Sequence, residues 1–186
     1  MIEDISLEHA GGQELPPRLA ALNACALAAA RRLALNPGSP CRIRLVPESF
    51  GSYRDLSDME IAHFADAPVF LFRPGCLAEA LLSPPASPVP PDGELVRRFL
   101  LLLRDLAQHS ISSPSSILSI DPLDTDKARR LTDDEIEAMQ RSHGLSFEPR
   151  IEPRPDLRST TVDGWDPERF LAELVRDLDR QRLKGK

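Results

Sequence analysis

With 186 residues and 41% hydrophobic side chains, the chain is long enough for one core with appendages and too apolar to stay unfolded throughout. A formal charge of −6 argues against a binder of phosphate backbones, which shows a basic stripe, so no nucleic-acid partner is expected. The acidic opening Met-Ile-Glu-Asp-Ile has no apolar stretch after it, and an apolar run such as Phe99 to Leu103 is far too short to span a bilayer. Cys25, Cys41 and Cys76 form an odd set without the spacing of a disulfide framework. Together these features predict a reduced, cytoplasmic protein with no membrane partner. Lys127, Lys184 and Lys186 are the only lysines, so the positive charge is almost all arginine. Arginine suits planar contacts at interfaces, although a GC-rich genome accounts for most of this bias.

Pro16-Pro17 opens a helix to about Leu35, where Asn36-Pro37-Gly38 stops it. Leu15, Leu19, Leu22, Ala26, Ala29 and Leu33 form its apolar stripe, with Cys25 beside it as a buried structural thiol. Cys41 to Val46 alternates, which predicts a strand with Cys41, Ile43 and Leu45 inward and Arg42 and Arg44 in water. A polar loop over 47–56 follows, and Ser57 with Glu60 has the capping-box spacing of a short helix to about Ala65.

Pro68 to Phe72 is apolar on both faces and predicts a strand covered on both sides. Arg73-Pro74-Gly75 leads into a helix from about Cys76 to Leu82. Strand, helix and strand between Cys41 and Phe72 have the size of a βαβ unit, whose strands are parallel. The proline-rich 83–91 reads as a stiff surface spacer within the core domain.

Asp92 is expected to cap a helix to about His109, with Leu95, Phe99, Leu102, Leu103 and Leu106 buried. Ile117 to Ile120 is expected as a third strand, followed by an acidic loop. Thr132 and Glu135 form a second capping box, on a helix to about Ser142 with Gly144 at its end. The result is an α/β fold: a small three-layer sandwich on a three- to four-stranded, mainly parallel sheet. Ile2, Ile5 and Leu7 offer one further edge strand. The core domain is expected over 1–145, with an extended segment and an amphipathic C-terminal helix over 146–186.

One thiol site emerges from this arrangement. Cys76 stands where a buried strand turns into a helix, whose N-terminus favours a thiolate, and Arg73 nearby would hold an anionic substrate. Asp121 shares the same edge of the expected sheet, where ligands of α/β proteins bind. His63, His109 and His143 fall at helix C-terminal ends, and so at the opposite edge, leaving Cys76 without a histidine base from those three. No resolving cysteine follows Cys76, and no phosphate cradle surrounds it. A calcium loop running from the acidic residues around Asp121, Asp124 and Asp126 is excluded by Ala128 and Arg129, and no spacing suits zinc. No nucleotide-binding or serine-hydrolase motif is present, so neither metal nor cofactor is expected.

The tail points to a partner. Residues 146–165 lack periodicity and carry Trp165, the only tryptophan, among Arg150, Arg154 and Arg158. Tryptophan and arginine are the customary anchors of interfaces. Phe170, Leu174 and Leu178 lie on one stripe of a final helix beginning at Asp166-Pro167-Glu168, suited to another protein or to self-association. Two readings result. The first is a non-catalytic protein-binding module (an adaptor, assembly chaperone or inhibitor-type partner) that grips through its C-terminal segment. The second is a small thiol enzyme using Cys76, Arg73 and Asp121.

Overall fold

The computed structural model describes residues 15–84, 91–109, 114–150 and 153. Among them are eight α-helices and one two-stranded antiparallel sheet. The expected parallel sandwich is therefore overturned: the described residues are mostly helical, and their sheet is minor.

Helix α1, Leu15–Leu35, buries Leu19, Leu22, Ala26, Ala29 and Ala30, so its apolar stripe lies as the spacing predicts. It stops where Gly38 takes φ +98°, a left-handed conformation that glycine adopts without a Cβ penalty. The supposed polar loop after residue 46 is instead a 3₁₀ turn, Pro47–Ser49, running into a five-residue helix α2, Phe50–Arg54. Tyr53 and Leu56, both buried, draw this segment onto the core. Helix α3, Asp58–Ala65, begins with the anticipated capping box: Glu60 donates its N–H to the Ser57 hydroxyl, and its carboxylate accepts from the Ser57 N–H.

Strand β1, Phe72–Pro74, is followed by helix α4, Leu77–Leu81. Helix α5, Gly93–His109, buries Leu95, Phe99, Leu102, Leu103 and Leu106 and is the central helix, packed on α1. Helix α6, Pro114–Leu118, occupies the place of the expected third strand. Ser119 follows at φ +57°, where no strand continues. The acidic loop is in fact helix α7, Pro122–Ala128, with Asp121 as its N-cap accepting from the Leu123 N–H. Helix α8, Asp133–Arg141, starts with the second capping box, and strand β2 is Phe147–Pro149. Both α7 and α8 pack against α5.

The sheet pairs Phe72 with Pro149, Arg73 with Glu148 and Pro74 with Phe147. A proline on each strand withholds an N–H and keeps the ladder short. On its other side Phe147 meets the 42–44 segment in one isolated parallel bridge: its N–H donates to the Arg42 carbonyl, and its carbonyl accepts from the Arg44 N–H, both at 2.8 Å. The expected strand over Cys41–Val46 is thus reduced to a single bridge. Phe147 is also the centre of the core, with its ring 5.3 Å from Phe99 and 5.8 Å from Phe70, both in edge-on geometry.

The run Pro68–Phe72 is buried from Phe70 onward, as an apolar segment covered on both sides should be. Only Phe72, on β1, has a strand neighbour. Asn23, fully buried on α1, donates to the carbonyls of Ala65 and Val69 and accepts from the Leu71 N–H. The Phe70 N–H goes to the Ile117 carbonyl. One amide side chain therefore replaces part of the absent ladder and satisfies backbone groups that would be costly to bury unpaired.

Candidate functional site

The strand-to-helix turn at Cys76 survives in miniature. β1 ends at Pro74, Gly75 donates its N–H to the Ser146 carbonyl at 2.7 Å, and Cys76 is the exposed N-cap residue of α4. The first N–H of α4, that of Leu77, donates to the Asp124 carboxylate at 3.1 Å. Asp124 is itself buried and held by Lys127 at 3.7 Å. A carboxylate therefore already occupies the helix end that was expected to favour a thiolate. Asp121 is exposed and caps α7, while Arg73 lies on the exposed side of β1 opposite Glu148. Among the described residues there is no parallel-sheet edge to gather Cys76, Arg73 and Asp121. Asp124, two helical positions inside α7, is the acidic residue brought to the start of α4.

His63 and His109 do lie in the last turns of α3 and α5, and His143 follows α8. The His109 ring nitrogen is 2.9 Å from the Asp105 carbonyl, a helix-end contact. Among the described residues no three His, Cys, Asp or Glu side chains are grouped to hold a metal ion. No helix among them is long and apolar enough to cross a membrane.

Of the expected partner-binding residues only Arg150 falls within the described part; Arg154, Arg158, Trp165, Phe170, Leu174 and Leu178 lie outside it. Arg150 is buried, and its backbone N–H donates to the Leu71 carbonyl at 2.9 Å. Its guanidinium donates to the Phe70 carbonyl at 3.1 Å. Burial, then the nearby charge of Arg73, lowers its affinity for the proton. The guanidinium thus serves as a rivet between the end of β2 and the buried 70–71 backbone.

Sequence reasoning missed a second buried arginine. Arg42, assigned to the wet face of a strand, is 2% exposed. Its guanidinium donates to the carbonyls of Gln140 (2.6 Å) and Ser142 at the end of α8, a C-terminal capping contact supplied from a distant segment. Asp92 is its counter-ion at 3.8 Å and also accepts from the Arg42 N–H and the Cys41 thiol. Burial is the main reason that the Cys41 thiol is pushed up to about 11, with Asp92 adding to the rise and the Ile43 N–H opposing it. Cys25 is raised as well, chiefly by burial. Both thiols are therefore poor nucleophiles. The available signal was an aspartate standing ahead of a strongly apolar helix, fifty residues from an arginine that alternation placed outside.

A third arginine cluster is open to solvent. The N-terminal half of α1 and the first three turns of α5 bound a cleft of about 590 Å³, lined by Pro17, Arg18, Ala21, Arg97, Arg98 and Leu101 together with Glu94 and Leu102. Arg18 pairs with Asp105 at 2.7 Å and Arg98 with Glu94 at 2.8 Å.

These features define a mostly helical protein with a minor antiparallel sheet. No family model, no curated protein and no solved structure matches the chain.

Proposed function

We propose that the chain is a non-catalytic protein-binding module, of the adaptor, assembly-chaperone or inhibitor kind, that engages another protein through the segment beyond Pro153. The observation that carries this reading is the fastening at Phe147–Arg150. A segment that grips a partner transmits its hold only if its root is fixed. Here the root is fixed by a backbone ladder to β1, by the Arg150 N–H on Leu71 and by the Arg150 guanidinium on Phe70. Among the described residues the buried apolar cluster runs from Leu19 to Phe147. Arg154, Arg158, Trp165 and the Phe170–Leu174–Leu178 stripe follow the root, and arginine and aromatic side chains are the usual hot spots of interfaces.

The test compares the full chain with one ending at Pro153, both immobilised and exposed to native lysate of the source. One stoichiometric protein held by the full chain and lost from the shorter one, with equal urea midpoints, supports the reading. Retention by the shorter chain overturns it.

A further inference from the structure

The cleft between α1 and α5 has a chemistry of its own. On α5 its lining follows one helical stripe, Glu94, Arg97, Arg98 and Leu101, at three- and four-residue steps beside the buried face. On α1 it takes Pro17, Arg18 and Ala21. Ala21 and Leu101 are half-buried and form an apolar floor, while the arginines stand at the rim. The lining carries three guanidinium groups against the carboxylates of Glu94 and, paired with Arg18, Asp105, which leaves an excess of positive charge on a chain whose net charge is −6. Among the described residues Arg97 forms no ion pair, whereas Arg18 and Arg98 are held in place by Asp105 and Glu94. From Glu94 to Leu102 the stripe is about 12 Å long, the length of roughly two helical turns.

We propose that this cleft docks an acidic amphipathic helix of a partner protein. The occupant lays leucine-like side chains at i and i+4 on Ala21 and Leu101, and its flanking carboxylates meet Arg97 and the rim guanidiniums of Arg18 and Arg98. The local excess of arginine selects against a basic occupant, because like charges at a rim repel and slow encounter. The inference rests on the reading of the chain as a binding module and gives it a further surface.

The probe is a fluorescent synthetic peptide of about three helical turns, with leucine at i and i+4 and glutamate on both sides. A version with lysine in place of every glutamate is the control. Fluorescence anisotropy should show the acidic peptide binding and the lysine peptide not binding. Arg97→Glu should weaken binding about tenfold, and Glu94→Gln, which removes the competing carboxylate, should strengthen it about threefold. Both positions are exposed, so neither change threatens the fold. Equal binding of the two peptides, or Arg97→Glu binding as the wild type does, overturns the proposal. Tighter binding by a chain lacking residues 1–13 would give the cleft to the chain's own acidic start. Pairing of copies that Arg97→Glu abolishes in sedimentation would give it to a second copy. Either result overturns a partner helix as the occupant. Running the chain ending at Pro153 in parallel separates the two surfaces. Peptide binding kept there while lysate capture also persists sinks the tail and leaves the cleft. An indifferent Arg97→Glu with capture lost on truncation does the reverse.

Discussion

Arginine plays opposite parts in two regions of this molecule. At the junction of α5 and α8, Arg42 is stripped of water and held by backbone carbonyls and Asp92. Along the α1–α5 cleft, Arg97 and Arg98 stand exposed and Arg18 half-exposed, and those ion pairs that form lie in high dielectric. The same side chain is a structural cap in one place and a surface charge in the other. The difference is set by whether a helix end with open carbonyls lies within its reach, and composition cannot report that. Substitutions should therefore separate the two regions sharply in stability.

The largest effect is expected at Asp92. Asp92→Ala leaves Arg42 buried without its counter-ion and should cost about 3–5 kcal/mol in urea unfolding. Replacing the pair together, Arg42→Met with Asp92→Leu, should cost less than Asp92→Ala alone, because no stranded charge remains. The closest approach of the two charges is 3.8 Å, and the facing atoms Arg42 Nη1 and Asp92 Oδ1 have no hydrogen-bond partner among the described residues, so part of the pair's potential is unused. If Asp92→Ala is as mild as a surface change, the contrast between the two regions collapses.

Gly144 comes next. A Cβ built there would lie 2.7 Å from the Ala80 Cα, inside any real contact, so α4 and the chain after α8 meet through a glycine. Gly144→Ala should cost about 1–3 kcal/mol by overpacking. The sequence marks this glycine as a helix stop, but the close approach to α4 is what demands it. The two capping boxes should rank below. Ser57→Ala and Thr132→Ala each remove one side-chain acceptor for a helix N–H, at about 1 kcal/mol apiece in the same unfolding measurement.

Those boxes also show which parts of the fold are legible from residues alone. Helices α1, α3, α5 and α8 are announced by signals contained within a few residues: a proline pair, two capping boxes and apolar stripes at helical spacing. The strands are not legible in the same way, because short apolar or alternating runs do not state what will satisfy their backbone. Pro68–Phe72 reads as a strand covered on both sides, yet ahead of Phe72 its groups are met by Asn23, Ile117 and Arg150, residues up to eighty positions away. Cys41–Val46 alternates, yet Arg42 turns inward because the end of α8 supplies carbonyls. Asp121-Pro122 followed by Asp124 is a readable helix start, an N-cap before a first-turn proline, although its run of acidic residues reads equally as a loop. At the candidate thiol site the turn itself was legible. The carboxylate that reaches α4 was not, because it depends on how α7 packs.

The buried node carries a pH signature smaller than these. The Cys41 thiol, lifted to about 11 mainly by burial, holds its proton more tightly in the folded chain than in the unfolded one. Its contribution is thus complete below the ordinary thiol value of about 8.5 and is lost as pH climbs through about 11. Melting temperatures of wild type and Cys41→Ala, compared between about pH 8 and about pH 11, should converge as pH rises. A constant gap would mean that the thiol is no more protonated in the folded state than in the unfolded chain.

At the other extreme stands the Arg98–Glu94 pair, an i, i+4 contact with both side chains nearly half exposed. Glu94→Gln should cost no more than about 0.5 kcal/mol, since an exposed pair on one helix gains little in water and is screened by salt. The same substitution is expected to tighten an acidic ligand, because it frees Arg98 and removes a carboxylate from the rim. Stability and binding would then move in opposite directions at one residue. At Asp92 the two cannot be separated, since losing the carboxylate there disturbs the fold itself. A stability loss at Glu94 comparable to that at Asp92 would mean that the cleft arginines belong to the architecture, as Arg42 does, and that their exposure has no bearing on recognition.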